Sequence, residues 1–493
     1  MAKSLKNKAV SGVMWTALQR YSTLFIQFVS GIILARLLTP YDYGCIGMLT
    51  IFITLAEVFI DSGFGSALIQ KKRPTQEDYS TIFFWNLGMA FFLYAVLFFT
   101  APLIARFYKI PLLSNVLRVQ GIVLFIYAFN IVQRNQLQKK LHFRVLSIVS
   151  IATSITALAI TIFMAYSGFG VWSLVTQNII LAAIPTFFFW FYVKWRPIRV
   201  FSKKSFIELF SFGGYMFLTQ LVTRFGQQIR GLFIGKLYNA STMGYYSKAF
   251  GTEKLASHSI SQVLGQVTYP IYAEIQDDKA RMINVLKQMS SSVAYLTFPF
   301  LLILILVAKP LFILLYSDRW LESVPYFQII CIGGIANCLQ SVNLQTISAI
   351  GKSRVMFIWA VIKQGIGLVL VILGLYLSGI YGLLWGAVLH SWICTYINMY
   401  LVSKYIGYKL STQVRDLLPI AIISVVAFIT GYLVNITLNF GLYADGALSM
   451  LTFIAVYATL SVVFKLKAFT FLLNNLVLRR TGKKTKRTKD GDN

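Results

Sequence analysis

Ionisable side chains interrupt several of the long apolar runs in this 493-residue chain. A charge at bilayer depth costs several kcal/mol unless it faces protein or water, so such residues are candidates for function. Five cations share this placement: Arg20, Arg224, Arg230, Lys254 and Lys363. Arginine binds phosphate oxygens in a bidentate manner, and lysine acts as a point charge. The chemistry that these residues predict is therefore the binding of an anionic group.

Three acids lie at similar depth: Glu57, Asp61 and Glu253. Glu57 and Asp61 are four residues apart, so they share one face of a helix. Two interpretations of this pair stay open. The carboxylates either hold an exchangeable proton or Na⁺, as in ion-coupled transport, or serve as counterions for Arg20. Glu253 could likewise take part in ion coupling, or it could serve as a counterion for its neighbour Lys254.

The elements that position these residues are membrane helices. The chain is 57% hydrophobic and only 12% charged, whereas about a quarter of a soluble protein is charged. Its apolar runs reach the length of about twenty residues that a membrane-spanning helix needs, and lipid tolerates such runs only as helices. We therefore predict an all-α integral membrane protein. The net charge of +29 does not indicate nucleic acid, because lysine and arginine punctuate the apolar runs.

About fourteen transmembrane helices are predicted, at 9–35, 44–70, 81–105, 113–136, 144–167, 169–194, 206–235, 245–275, 287–316, 322–349, 355–378, 380–403, 414–436 and 444–465. Lysine and arginine concentrate in alternate connections. By the positive-inside rule, this asymmetry places both termini in the cytoplasm.

An internal repeat relates the first predicted helix to the seventh. A shift of 200 residues superimposes identical residues on one another: Ser11 on Ser211, Thr23 on Thr223, Gln27 on Gln227, Gly31 on Gly231, Leu37 on Leu237 and Gly44 on Gly244. Both copies start on the same side, so the repeat is parallel, as in transporters built of two similar lobes. The predicted organisation is a six-helix lobe (1–194), an interfacial linker (195–205), a second six-helix lobe (206–403), an extra helix pair (404–466) and a basic cytoplasmic tail (467–493).

Polar residues form equivalent stripes on the two repeated helices. Arg20 and Gln27 share a face of the first helix, and Gln220, Arg224 and Gln227 share a face of the seventh. Two related stripes that face a common axis would line a central cavity of positive charge.

A purely structural interpretation of these cations is also open. Such cations extend their charged ends to the membrane surface, or pair with internal acids. This structural interpretation applies best to Arg230 and Lys363, which lie nearer to helix ends.

Enzyme signatures are missing from the sequence. It holds no phosphate-binding glycine loop and no zinc-spaced cluster of histidine and cysteine. We therefore expect neither catalysis nor a cofactor.

Two stretches carry a resemblance to a known family. One is Arg36-Leu37-Leu38-Thr39-Pro40-Tyr41-Asp42-Tyr43-Gly44, followed by Asp61-Ser62-Gly63-Phe64-Gly65-Ser66-Ala67-Leu68-Ile69-Gln70. The other joins Ile234-Gly235-Lys236-Leu237 to Met243-Gly244-Tyr245-Tyr246-Ser247-Lys248-Ala249. With the hydropathy profile, they resemble the polysaccharide flippase family (Wzx-type and teichuronic-acid exporters) of the multidrug/oligosaccharidyl-lipid/polysaccharide exporter superfamily.

The resemblance implies a two-lobed, fourteen-helix flippase in a bacterial inner membrane. Its cargo would be an undecaprenyl-diphosphate-linked oligosaccharide, moved by alternating access to the outer leaflet for synthesis of surface polysaccharide such as lipopolysaccharide. Polysaccharide polymerases and glycosyltransferases would be its protein partners. Three alternatives stay open: a cation-coupled multidrug exporter of the same superfamily, a membrane polysaccharide polymerase or ligase, and a scaffold that transports nothing.

Overall fold

The computed structural model describes residues 2–275, 278–350, 353–466 and 468–470. Within these ranges every regular element is helical, in agreement with the predicted all-α class. The α-helices are α1 (Ala2–Leu37), α2 (Pro40–Asp61), α3 (Phe64–Gln70), α4 (Gln76–Tyr108), α5 (Leu112–Gln120), α6 (Ile122–Lys139), α7 (Phe143–Tyr166), α8 (Val171–Tyr192), α9 (Lys203–Leu237), α10 (Ala240–Glu274), α11 (Lys279–Leu306), α12 (Ala308–Tyr316), α13 (Ser323–Ala349), α14 (Ser353–Ile406), α15 (Leu410–Thr437) and α16 (Leu442–Val463).

Ten of the described helical segments are long and apolar enough to cross a membrane, or eleven if the bent α9 is one span. The α14 segment Val355–Ile406 is one of these ten, although it is long enough for two crossings. Polar side chains lower the mean hydropathy of α1 and α10, which are not among the ten. Helix occupies all fourteen predicted segments, but the number of crossings stays a prediction.

Left-handed backbone interrupts the helices at two places, one inside a predicted helix and one at a predicted boundary. The prediction of one helix over 44–70 is wrong at Ser62 and Gly63, whose φ values of 45° and 77° end α2 and begin α3. Glycine adopts such a φ readily, while serine does so at a cost. Gly379, with a φ of 57°, separates the two halves of α14.

The halves of α14 form an antiparallel hairpin. A Cβ placed on Gly374 would overlap the carbonyl oxygen of Gly382, and one on Gly382 would overlap that of Gly374. Glycine is therefore required on both sides of the crossing, which lets the two backbones touch.

The chain groups into two compact units. The first holds residues up to Lys248 together with Leu315–Trp320 and Phe357–Leu368, and the second holds the remainder. In the first unit α1 packs on α7, α7 on α8, and α9 on α2. In the second, α11 packs on α13 and α15, and α15 packs on α16. The predicted lobes at 1–194 and 206–403 follow the sequence repeat and stay a prediction, and nearly all of the predicted basic tail lies outside the described residues.

Candidate functional site

The polar stripe of α1 contains a buried donor that lacks an acceptor. The Nε atom of Arg20 is buried and makes no hydrogen bond within the described part of the chain. One turn further on, the Thr23 hydroxyl donates to the carbonyl oxygens of Gln19 and Arg20. Gln27 is exposed, whereas Ser30 is buried and accepts a hydrogen bond from Gln177 of α8 at 3.2 Å. Arg20 thus offers a donor that the described part of the protein leaves without an acceptor.

The stripe of α9 is more open. Arg224 and Gln227 are exposed, and Gln220 and Arg230 are half-buried. Lys363, also half-buried, belongs to the α14 segment that the first unit includes.

That segment of α14 packs directly on α9. The Gln364 amide lies so close to Gly226 that a Cβ there would overlap it, and the rings of Tyr215 and Phe357 are 6.3 Å apart. Four of the five cations predicted from the sequence, Arg20, Arg224, Arg230 and Lys363, therefore lie in the first unit.

The two acids of α2, Glu57 and Asp61, interact with different groups. Arg224 is the cation whose charge acts on Glu57, so the structure relates this acid to α9 and not to Arg20. Asp61 instead accepts a hydrogen bond from the backbone N–H of Gly65 at 3.1 Å, which caps α3. Glu57 is thus the acid with the clearer electrostatic link to the predicted cavity.

Arg134 is a cation that the sequence reasoning missed as a site residue. It lies near the end of α6, and its charge acts on Asp61 and on the half-buried Tyr127. It also lies close to the basic connection at 139–144, so its place in the sequence resembles that of a loop cation. A signal was available, because polar residues flank it on both sides as Gln133-Arg134-Asn135-Gln136.

Glu253 and Lys254 belong to the second unit and differ in exposure. Glu253 is only 4% exposed, and its carboxylate lies against Gly334 of α13, where a Cβ would overlap it. Lys254 is exposed. Consecutive helical residues point about 100° apart, which explains how neighbours come to differ in this way.

The starts of α2 and α10 cross through a reciprocal contact within the first unit. A Cβ on Gly44 would overlap the carbonyl oxygen of Ala240, and a Cβ on Gly244 would overlap that of Pro40. The shift of 200 residues that defines the repeat converts Pro40 to Ala240 and Gly44 to Gly244. The two halves of this contact are therefore copies of one another.

The same symmetry relates two cations that cap helix ends. Arg36 Nε donates to the carbonyl oxygen of Leu315 at 3.1 Å, in the last turn of α12. Its repeat equivalent, Lys236, donates from Nζ to the carbonyl oxygen of Phe107 at 2.7 Å, in the last turn of α4. Cations there interact favourably with the exposed carbonyls of a helix C-terminus.

Lys248 occupies a buried aromatic cage in the first unit. Its Nζ donates to the carbonyl oxygen of Gly31 at 2.6 Å. Three rings surround the ammonium group at 3.9 to 5.5 Å from its nitrogen: Tyr43, Tyr316 and Trp320. Lysine and the aromatic ring face attract each other strongly where water is excluded. The cage links α1, α2 and α10 at the same end as the glycine crossing.

Comparison with known sequences finds relatives in the synthesis of bacterial polysaccharides. A family described as "Polysaccharide biosynthesis protein" matches residues 33–325. The teichuronic acid biosynthesis protein TuaB of Bacillus subtilis is 27% identical over 361 residues, 72% of this chain and 74% of that protein. The lipopolysaccharide biosynthesis protein WzxC of Escherichia coli is 21% identical over 403 residues, 81% and 82% of the two chains.

Comparison with solved structures finds the same fold in transporters. The lipid II flippase MurJ, in an inward closed conformation, superposes with a TM-score of 0.75 at 17% identity, over 92% of this chain and 98% of that one. An inward-facing multidrug resistance MATE family transporter of the MOP superfamily gives 0.57 at 13% identity, over 81% and 99%. These similarities confirm the predicted multi-pass membrane fold.

Proposed function

The chain belongs to the family of polysaccharide biosynthesis proteins, and from that membership we propose that it is a flippase for an undecaprenyl-diphosphate-linked oligosaccharide. It carries this lipid from the cytoplasmic to the outer leaflet of a bacterial inner membrane, for the synthesis of surface polysaccharide. It would act after the glycosyltransferases that build the sugar and before a polymerase that extends it. Its relatives support this role, since they include biosynthesis proteins for teichuronic acid and lipopolysaccharide.

Arg20 supplies the observation that carries the proposed mechanism. A buried N–H without an acceptor is costly in a protein interior, and more so in a membrane. A diphosphate supplies acceptor oxygens of negative charge, which arginine binds in a bidentate manner. We propose that Arg20 and Arg224 bind the diphosphate in a cationic central cavity. Arg230, Lys363 and Lys254 add positive charge, and Gln27, Gln220 and Gln227 supply amide contacts to the sugar.

Coupling to an ion is proposed for the acids. Glu57 is the first candidate because the charge of Arg224 acts on it. Binding of the diphosphate to Arg224 would offset that positive charge and weaken its effect on the carboxylate. A carboxylate released in this way takes up a proton or Na⁺. Asp61 and Glu253 are weaker candidates, since one caps α3 and the other is packed against Gly334. Alternating access of the two lobes then exposes the cargo to the other side.

The test measures surface polysaccharide in cells that express Arg20→Ala or Arg224→Ala in place of the native chain. We expect export to be lost in both while the membrane content of the protein is unchanged. Arg106→Ala is the matched control, because Arg106 is exposed near the end of α4 and lies outside the proposed cavity. Undiminished export in both variants would contradict the assigned roles. Purified protein in liposomes with a fluorescent lipid-linked sugar would separate flipping from assembly of the polymer.

A further inference from the structure

A second cavity lies in the first unit, at the ends of four helices. It has a volume of about 820 Å³, which falls within the range of roughly 300–1,000 Å³ typical of small-molecule sites. Its walls come from the start of α4, the end of α6, the residues before α7 and the end of α8. These helix ends border the connections that carry the most basic residues. The cavity therefore lies at the level of the lipid headgroups of one leaflet.

Two buried donors in its wall lack acceptors. Gln136 is only 4% exposed, and its Nε2 makes no hydrogen bond within the described residues. The same holds for Nε1 of Trp195, which lines the cavity beside it. Both groups can only donate, so both require an acceptor atom. A ligand with several acceptor oxygens would satisfy them together.

Some cations near the cavity already bind groups of the protein, whereas others are exposed and make no ion pair with the described residues. Lys139 donates to the carbonyl oxygens of Leu68, Ile69 and Lys71, which end α3. Burial lowers the pKa of Lys71, but its hydrogen bonds with Asp78 and Glu208 raise it by more, so this pKa lies above its ordinary value.

Lys140 and Lys194 line the cavity as Lys139 does, but they are exposed and make no ion pair with the described residues. No acid belongs to the lining. The cavity thus selects for an anion.

The surroundings favour a lipid over a soluble anion. Tyr192 and Trp195 stand at its rim, as aromatic residues do at membrane interfaces. From Tyr192, exposed phenylalanines continue along α8 into the membrane-spanning part: Phe187, Phe188 and Phe191. Such a column offers acyl chains a surface that continues from the headgroup site.

We propose that this cavity binds the phosphate headgroup of an anionic glycerophospholipid from the adjacent leaflet. Lys140 and Lys194 balance its charge, while Gln136 and Trp195 donate to its oxygens. The acyl chains then lie along the phenylalanines of α8. This proposal rests on the membrane fold alone and is independent of the cargo.

The test counts bound lipids on the detergent-purified protein by native mass spectrometry, with phosphatidylglycerol as the probe and phosphatidylcholine beside it. We expect the double variant Lys140→Gln/Lys194→Gln to weaken phosphatidylglycerol binding by about tenfold or more. Gln136→Leu should weaken it while leaving the lipid-free melting temperature unchanged or higher, because it removes an unsatisfied donor. The double variant Lys72→Gln/Arg73→Gln is the control, since it removes two exposed charges of the connection between α3 and α4 that do not line the cavity.

Several outcomes would overturn the proposal. Equal weakening by the control would show attraction to total charge without a site. Equal binding of phosphatidylcholine would exclude selection for an anion. Displacement of phosphatidylglycerol by an equal concentration of inorganic phosphate would show that a free phosphate, and not a lipid, is the ligand.

Discussion

Arg20 shows how a residue that is poorly satisfied in the protein can be useful to it. Its Nε is buried and has no acceptor among the described residues, which opposes folding, and our proposal assigns to the same atom an anionic cargo as its acceptor. Sites of this kind commonly give up stability for function. The two effects can be separated by a substitution that keeps an unbranched apolar stem and removes the donors.

Arg20→Met should leave the melting temperature of the purified protein unchanged or raise it, while export falls to the level of a strain without the protein. Loss of the unsatisfied donor removes a penalty of about 1–3 kcal/mol. The measurements are thermal unfolding in detergent and surface polysaccharide in cells, with Arg106→Met as the control. A clear fall in melting temperature would instead assign Arg20 a structural role.

Lys248 is the opposite case, a buried cation that the protein satisfies by itself. We expect Lys248→Met to lower the free energy of unfolding by about 2–4 kcal/mol, because it removes a charge-assisted hydrogen bond and three cation–ring contacts. Thermal or denaturant unfolding in detergent would measure this. Lys309→Met makes the same change at an exposed site and should have little effect. Equal losses in the two variants would argue against the cage.

The sequence predicted the candidate residues of the site better than their contacts. Helical periodicity placed Arg20 and Arg224 on polar stripes because that periodicity is local. Helical periodicity could not predict the cage of Lys248, since two of its three rings belong to Tyr316 and Trp320, which are far along the chain. The link between Arg134 and Asp61 was missed for the same reason.

At the scale of elements, the predicted segments agree with the observed helices. The positions at which helices break were predicted less well. The break at Gly379 was predictable from a connection rich in glycine. The break at Ser62 was not, because serine seldom adopts a left-handed backbone and Asp61 stabilises the turn through a hydrogen bond to Gly65. The crossing of α2 and α10 also depends on contacts that sequence spacing does not reveal.

Gly244→Ala tests that crossing. The added methyl group would overlap the backbone carbonyl of Pro40, which cannot move aside as a side chain can, so we expect a loss of about 1–3 kcal/mol in unfolding free energy. Gly251→Ala is the matched control on the same helix, because nothing lies within 4 Å of a Cβ there. It should stabilise the protein by about 0.5–1 kcal/mol. The opposite order of stabilities would show that α2 and α10 do not cross as described.

For the whole molecule, the proposed alternating access requires that the two repeated halves separate where the starts of α2 and α10 cross. Gly47 and Ser247 are equivalent under the repeat and meet each other: a Cβ on Gly47 lies 2.5 Å from the Ser247 hydroxyl oxygen. Two cysteines there would have Cβ atoms within the separation of about 3.5–4.5 Å that disulfides need.

Gly47→Cys/Ser247→Cys, in a variant whose four native cysteines are replaced by alanine, should form a disulfide on oxidation and stop flipping in liposomes. A reductant should restore it. Each single cysteine variant, treated with the same oxidant, is the control. A fully formed disulfide with undiminished flipping would mean that this contact stays closed throughout the cycle.

The reciprocal contact of Gly44 with Ala240 and of Gly244 with Pro40 also bears on descent. In a symmetric homodimer, residue i of one subunit meets residue j of the other, and the reverse contact follows. Arg36 and Lys236, which are also equivalent under the shift of 200 residues, each cap the end of another helix. This geometry is what gene duplication and fusion of a dimer-forming ancestor leave behind, with the interface preserved inside one chain. Substitutions on the two sides of that interface are consequently expected to co-vary across relatives, as the two surfaces adapt to each other after the fusion.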